Sequence, residues 1–182
     1  DIILSSYQDT TNYPVRGKEC TSQQIPSIND RYKTFHDFAS ATTEEIFGNK
    51  LEEGNSLTAR TLSSSLFINN GRGKFTIQHL PNEAQFAPIQ AIDVKDFNAD
   101  GFLDVLCIGN LYGTEVETSR YDAGRGVCLL GDGTGSFIAQ SPLESGFYCQ
   151  DNVKSMTPII INGKTVYIFG INNGKIKTIE LN

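Results

Sequence analysis

Residues 88–110 read PIQAIDVKDFNADGFLDVLCIGN, two short apolar runs around a polar centre. The runs are rich in Ile, Val, Leu and Phe, as buried strands are. The centre, DFNADGFLD at 96–104, places Asp96, Asn98, Asp100 and Asp104 at its first, third, fifth and ninth positions, with Gly101 directly after Asp100. A solvated turn also favours Asp, Asn and Gly, which tolerate unusual backbone angles, but a bare turn needs one Gly and one Asp. A hard cation such as calcium takes roughly six to eight oxygen ligands, and a coiled loop presents alternate residues inward. The expectation is a strand-to-strand turn that holds Ca2+ through Asp96, Asn98, Asp100, the carbonyl of Phe102, and Asp104, with Gly101 permitting the bend.

The rival is the EF-hand, whose loop opens in the same way but requires helical flanks and a bidentate Glu at its twelfth position. Here that position is Cys107 and both flanks read as strands.

Working outward, SSLFINNGRGKFTIQHL from Ser64 and GVCLLGDGTGSFIAQSPL from Gly126 share one plan. An apolar strand runs into a Gly-rich turn, and a Phe then opens a second strand. Phe75 and Phe137 occupy equivalent places, 137 − 75 = 62 positions apart. A weaker copy, TVYIFGINNGKIKTIEL, follows from Thr165 and turns at Asn172, Asn173 and Gly174. The strand before the acidic loop is echoed by VKSMTPIIINGKTVYIFGIN, where the loop is shortened to Asn162-Gly163; with no carboxylate, that turn is expected to bind no metal.

Repeated small sheets point to a partial β-propeller, with a β-sandwich as the alternative all-β fold. The expected organisation is a single propeller segment over 1–182. A first partial blade covers 1–81, interrupted by an insertion at about 8–62; the calcium-loop blade covers 88–143 and a degenerate last blade 153–182. Three partial units are fewer than a closed propeller has, so completion by missing blades or by other chains is expected. The opening DIILSSY, which matches LDVLCIGN and lacks Met, reads as the remnant of an earlier unit in a processed or excised portion of a longer protein. Within the insertion, DRYKTFHDFAS predicts a helix with Tyr32, Phe35, Phe38 and Ala39 on one apolar stripe. Thr42 and Glu45 fit a capping box ahead of a second helix that stops at Gly48. His36 reads as a surface residue.

With 182 residues the chain can bury a real core. A net charge of −6 without a basic cluster disfavours nucleic acid and membrane surfaces as partners. No run reaches the ~20 apolar residues of a membrane span. Two histidines and no Cys-x-x-Cys make zinc improbable. Cys20, Cys107, Cys128 and Cys149 allow three full pairings, among which sequence does not choose; Cys107 and Cys128 also suit buried free thiols.

The acidic loop, together with the turns NNGRGKF and GDGTGSF, resembles the FG-GAP or VCBS repeat family. That family includes integrin α-subunit propellers and secreted bacterial proteins that often carry a UnbV/ASPIC segment. The resemblance is most specific over 64–140, and RGKECTSQQ at 16–24 looks like a stretch found in bacterial members. It implies calcium at Asp96, Asn98, Asp100, Phe102 and Asp104, with Asn98 a mild departure from an all-Asp form.

The leading functional expectation is therefore a secreted, calcium-stabilised segment that binds an extracellular protein or glycan, as in cell adhesion. One alternative is a structural subunit assembling through strand edges; another is the non-catalytic part of a polysaccharide-acting enzyme. Catalysis is not expected. GRGKF puts Phe75 where a phosphate loop needs Ser or Thr, and GDGTGSF is no nucleophile elbow. The acidic pairs Glu115 with Glu117 and Glu44 with Glu45 read as solvated surface charge.

Overall fold

A computed structural model describes residues 2–115 and 118–181. The chain is divided into two compact units, residues 1–60 and 61–182.

In the first unit, β1 (Ser5–Gln8) and β2 (Thr11–Pro14) form an antiparallel hairpin around Asp9, whose φ is 55°. Four short helices follow: α1 (Lys18–Gln24), α2 (Ile28–Arg31), α3 (Phe35–Ala39) and α4 (Thr43–Phe47). Ile28, Phe38, Ala41, Ile46 and Phe47 form their shared core. The Arg31 guanidinium donates to the carbonyls of Glu45 (2.6 Å) and Ile46 (2.9 Å), giving partners to oxygens that the end of α4 leaves open.

One expectation is corrected here. The single helix over DRYKTFHDFAS is two helices, because Tyr32 is extended and Thr34 starts afresh. Its hydroxyl accepts from the Asp37 amide, and its own amide donates to the Asp37 carboxylate. Strand β1 pairs with β2, which lies within the stretch 8–62. The Thr42–Glu45 capping box and the stop at Gly48, φ 57°, are as expected.

The second unit begins with the hairpin β3 (Ser65–Asn69) and β4 (Phe75–His79). A four-stranded meander follows: β5 (Ala91–Lys95), β6 (Asp104–Ile108), β7 (Val127–Gly131) and β8 (Phe137–Gln140). After the short helix α5 (Pro142–Ser145), strands β9 (Val153–Ile161), β10 (Lys164–Ile171) and β11 (Lys177–Glu180) make a three-stranded meander. Phe75 and Phe137 each open the returning strand of their hairpin. Asn162 and Gly163 both take positive φ, 52° and 80°, the mirror-image turn that joins twisted strands through two residues. Among the described residues the chain is mainly β, in small antiparallel sheets of which none closes.

Strands β6 and β7 are buried on both faces, as the apolar runs 105–108 and 127–130 anticipate. On one face Leu106, Ile108 and Cys128 pack with Phe147, Val153, Tyr167 and Phe169; on the other, Cys107, Val127 and Leu129 pack with Ala84. The register pairs Leu106 with Cys128 and Cys107 with Val127. Cys107 and Cys128 therefore face opposite sides of the sheet and cannot be bridged without moving the backbone. The three thiols of this unit are free.

Candidate metal centre

The loop 96–103 joins β5 to β6, and its side chains are spent largely on its own backbone. Asp96 accepts from the amides of Asp100 (3.2 Å) and Gly101 (2.9 Å). Asn98 Oδ1 also accepts from the Asp100 amide, at 3.0 Å, while Asn98 Nδ2 donates to Asp100 Oδ2 at 2.8 Å. Asp100 Oδ1 accepts from the Phe102 amide, at 2.8 Å. Ala99 and Gly101 take positive φ, 59° and 92°, which winds the loop tightly enough for these contacts. The bend at Gly101 is as read from sequence; the second one, at Ala99, carries no sequence signal.

Asp104 differs from the other three. It is fully buried, with Oδ2 accepting from the Phe97 amide and Oδ1 from the Gly131 amide, each at 2.9 Å. It thus ties the loop's start to the end of β7. Gly131 is glycine for space as well: a Cβ there would lie 2.2 Å from the Leu103 carbonyl oxygen. The Phe102 ring lies against Gly133 of the next turn, where a Cβ would meet it at 2.5 Å. In that turn Asp132 accepts from the Thr134 hydroxyl and amide and the Ser136 amide; the Thr134 bonds foremost hold its carboxyl below the ordinary value.

Four of the five expected ligands lie on the loop 96–103 and the fifth, Asp104, opens β6, but Asp96, Asp100 and Asp104 do not converge as a metal-holding group. Among the described residues no three His, Cys, Asp or Glu side chains do. Each carboxylate oxygen of Asp96 and Asp100 accepts one hydrogen bond and has room for a second partner. Of the acidic pairs, Glu45 is committed to its capping box, Glu115 accepts from the Thr118 hydroxyl, and Glu117 lies outside the described residues. His36 is exposed.

Sequence reasoning missed two polar centres. Asn110, 1% exposed, donates through Nδ2 to the carbonyls of Gly124, Gln150 and Asp151, and its Oδ1 accepts from the Gly124 amide. Its position at the end of the apolar run of β6 is the one available signal. The second centre is Asp151, which accepts from Lys177 Nζ at 2.5 Å and from the Cys149 thiol at 3.2 Å. The lysine first, then the thiol, lowers its carboxyl pKa.

The chain matches no protein-family model, no curated protein and no solved structure. No helix among the described residues is long and apolar enough to cross a membrane.

Proposed function

We propose that the chain is an extracellular calcium-binding segment of FG-GAP or VCBS type, part of a β-propeller, that recognises a protein or glycan and carries out no chemistry. The observation carrying this reading is the loop 96–104. Its Asp-x-Asn-x-Asp-Gly run coils at Ala99 and Gly101 and is anchored in the sheet by the buried Asp104. Three strand–turn–strand hairpins, at 65–79, 127–140 and 164–180, support the blade assignment.

A cation in this loop would replace the Asn98 contact to Asp100 and fix the crossing from β5 to β6. Binding to the folded state stabilises it by linkage, and extracellular calcium modules work with dissociation constants on the order of 10⁻⁴ to 10⁻³ M. The test is the melting temperature in millimolar calcium and in chelator for the native chain and for Asp100→Asn, which keeps an acceptor for the Phe102 amide. The native chain is expected to gain stability in calcium and the variant to lose that gain. Equal behaviour of the two in both buffers overturns the metal assignment.

A second reading, assembly through strand edges, draws on β5. That strand is an outer strand of its sheet and leaves Ile92 58% and Val94 51% exposed. A monomer in sedimentation at micromolar concentration counts against it.

A further inference from the structure

Within the second unit, a cleft of about 550 Å³ lies between the four-stranded and three-stranded sheets. Leu130 on β7 and Leu181, both partly buried, supply its accessible apolar surface, and the core residues Leu106, Cys128 and Tyr167 back them from beneath. Its rim is polar. Small-molecule sites take this form, a concavity of such volume with apolar walls and a few placed polar groups.

The bonding of the rim narrows the ligand class. Lys164 is ion-paired with Glu180. Glu144 accepts from the Ser141 amide and hydroxyl, and Asp96 accepts from the Asp100 and Gly101 amides. Gln140, Thr165 and Lys95 also line the cleft, and their side chains have no partner among the described residues. An apolar ligand would bury the Gln140 amide and the Thr165 hydroxyl without replacing their bonds to water, which is costly. A strongly anionic ligand would meet the carboxylates of Asp96 and Glu144 against one cation unpaired among the described residues, Lys95, since Lys164 is paired with Glu180. A sugar chain fits both constraints. Its hydroxyls donate and accept alternately against Gln140, Thr165 and Lys95, and its C–H face packs on Leu130 and Leu181.

We propose that this cleft binds a neutral oligosaccharide, which rests on the recognition reading above and assigns it a site and a ligand class. The loop 96–103 forms part of the wall through Asp96, Phe97 and Asn98.

The experiment is titration calorimetry of the whole chain with cello-, manno- and galacto-oligosaccharides and with oligogalacturonate, in calcium and in chelator. It is repeated for Gln140→Ala and Thr165→Val, with melting temperatures recorded alongside. A neutral oligosaccharide is expected to bind, and each substitution to weaken it about five- to tenfold, the worth of one hydrogen bond, at unchanged melting temperature. Binding that is equal in both variants places the sugar elsewhere and overturns the cleft while leaving glycan recognition standing. Binding of oligogalacturonate alone overturns the ligand class. If no neutral oligosaccharide binds, the proposal falls, whereas the metal assignment is decided separately by its calcium-dependent melting.

Discussion

The Tyr167 hydroxyl, on β10, donates to Asp93 Oδ2, on β5, at 2.5 Å, and so joins the three-stranded sheet to the four-stranded one across 74 positions of chain. Tyr167 is fully buried and its ring packs edge-on against Phe147, centroids 6.4 Å apart. Removing the hydroxyl by Tyr167→Phe keeps the ring and leaves Asp93 without this donor. The expected cost is about 1–3 kcal/mol in denaturant unfolding; a change under a few tenths would show that the bond contributes nothing net.

Alkaline pH is expected to destabilise the second unit for a related reason. Burial, then the Asp93 bond, raises the Tyr167 phenol pKa. Burial also pushes the Cys107 and Cys128 thiols up to about 11, helped by the neighbouring Cys128 and Asp104 charges respectively. In all three the folded state holds the proton more tightly than the unfolded chain does. Their stabilising effect is therefore complete below about pH 8.5, where unfolded thiols begin to ionise, and is lost as pH rises through the folded values. Unfolding free energy measured from pH 8 to 11 should fall by at most about 1.4 kcal/mol per pH unit for each thiol. The Cys107→Ala/Cys128→Ala double variant should flatten that fall. A flat profile in the native chain would overturn the account.

Asp104 and Asp100 should respond differently to substitution. Asp104→Ala strands the Phe97 and Gly131 amides in the interior, so a loss of about 3 kcal/mol is expected with and without calcium. Asp100 is exposed, and Asp100→Asn should matter only when calcium is present. Equal losses for both variants in chelator would mean that Asp100, too, serves the fold alone.

Gly131→Ala brings a methyl group against the Leu103 carbonyl. Overpacking of this kind costs about 1–3 kcal/mol. Because Gly131 also donates to Asp104, the variant is expected to weaken the calcium response as well, read as a smaller calcium-induced rise in melting temperature. A full rise in a destabilised variant would separate the β7 anchor from the metal loop.

Asn110→Asp tests the second polar centre. The amide nitrogen that serves three carbonyls becomes an oxygen facing them. A loss of about 2 kcal/mol or more is expected at neutral pH, easing in acid as the carboxyl regains a proton to donate. Loss independent of pH would point to packing instead.

How much of this was legible in sequence depends on the range of the interaction responsible. The acidic loop, the Phe75 and Phe137 strand starts and the Thr42–Glu45 cap are local patterns, and the structure has each of them. The split at Tyr32 to Thr34 escaped because an apolar stripe at helical spacing does not register a cap placed inside it. The spacing of Asp104 reads as a ligand position, but its buried bonds to the amides of Phe97 and Gly131, the latter 27 positions away, carry no sequence signal. Asn110 and the Tyr167–Asp93 bond depend on segments brought together only by folding. No window of sequence contains both partners.

Both meanders of the second unit pair strands that are neighbours in the chain. Each sheet can therefore assemble from one contiguous stretch, 91–140 or 153–180, with little loop-closure entropy to overcome, and low contact order of this kind favours rapid folding. The bond from Asp93 to Tyr167 belongs to a different kinetic event. It joins the two sheets, so if they dock after the rate-limiting step its removal should speed unfolding while leaving the folding rate nearly unchanged, read from the two arms of a denaturant chevron.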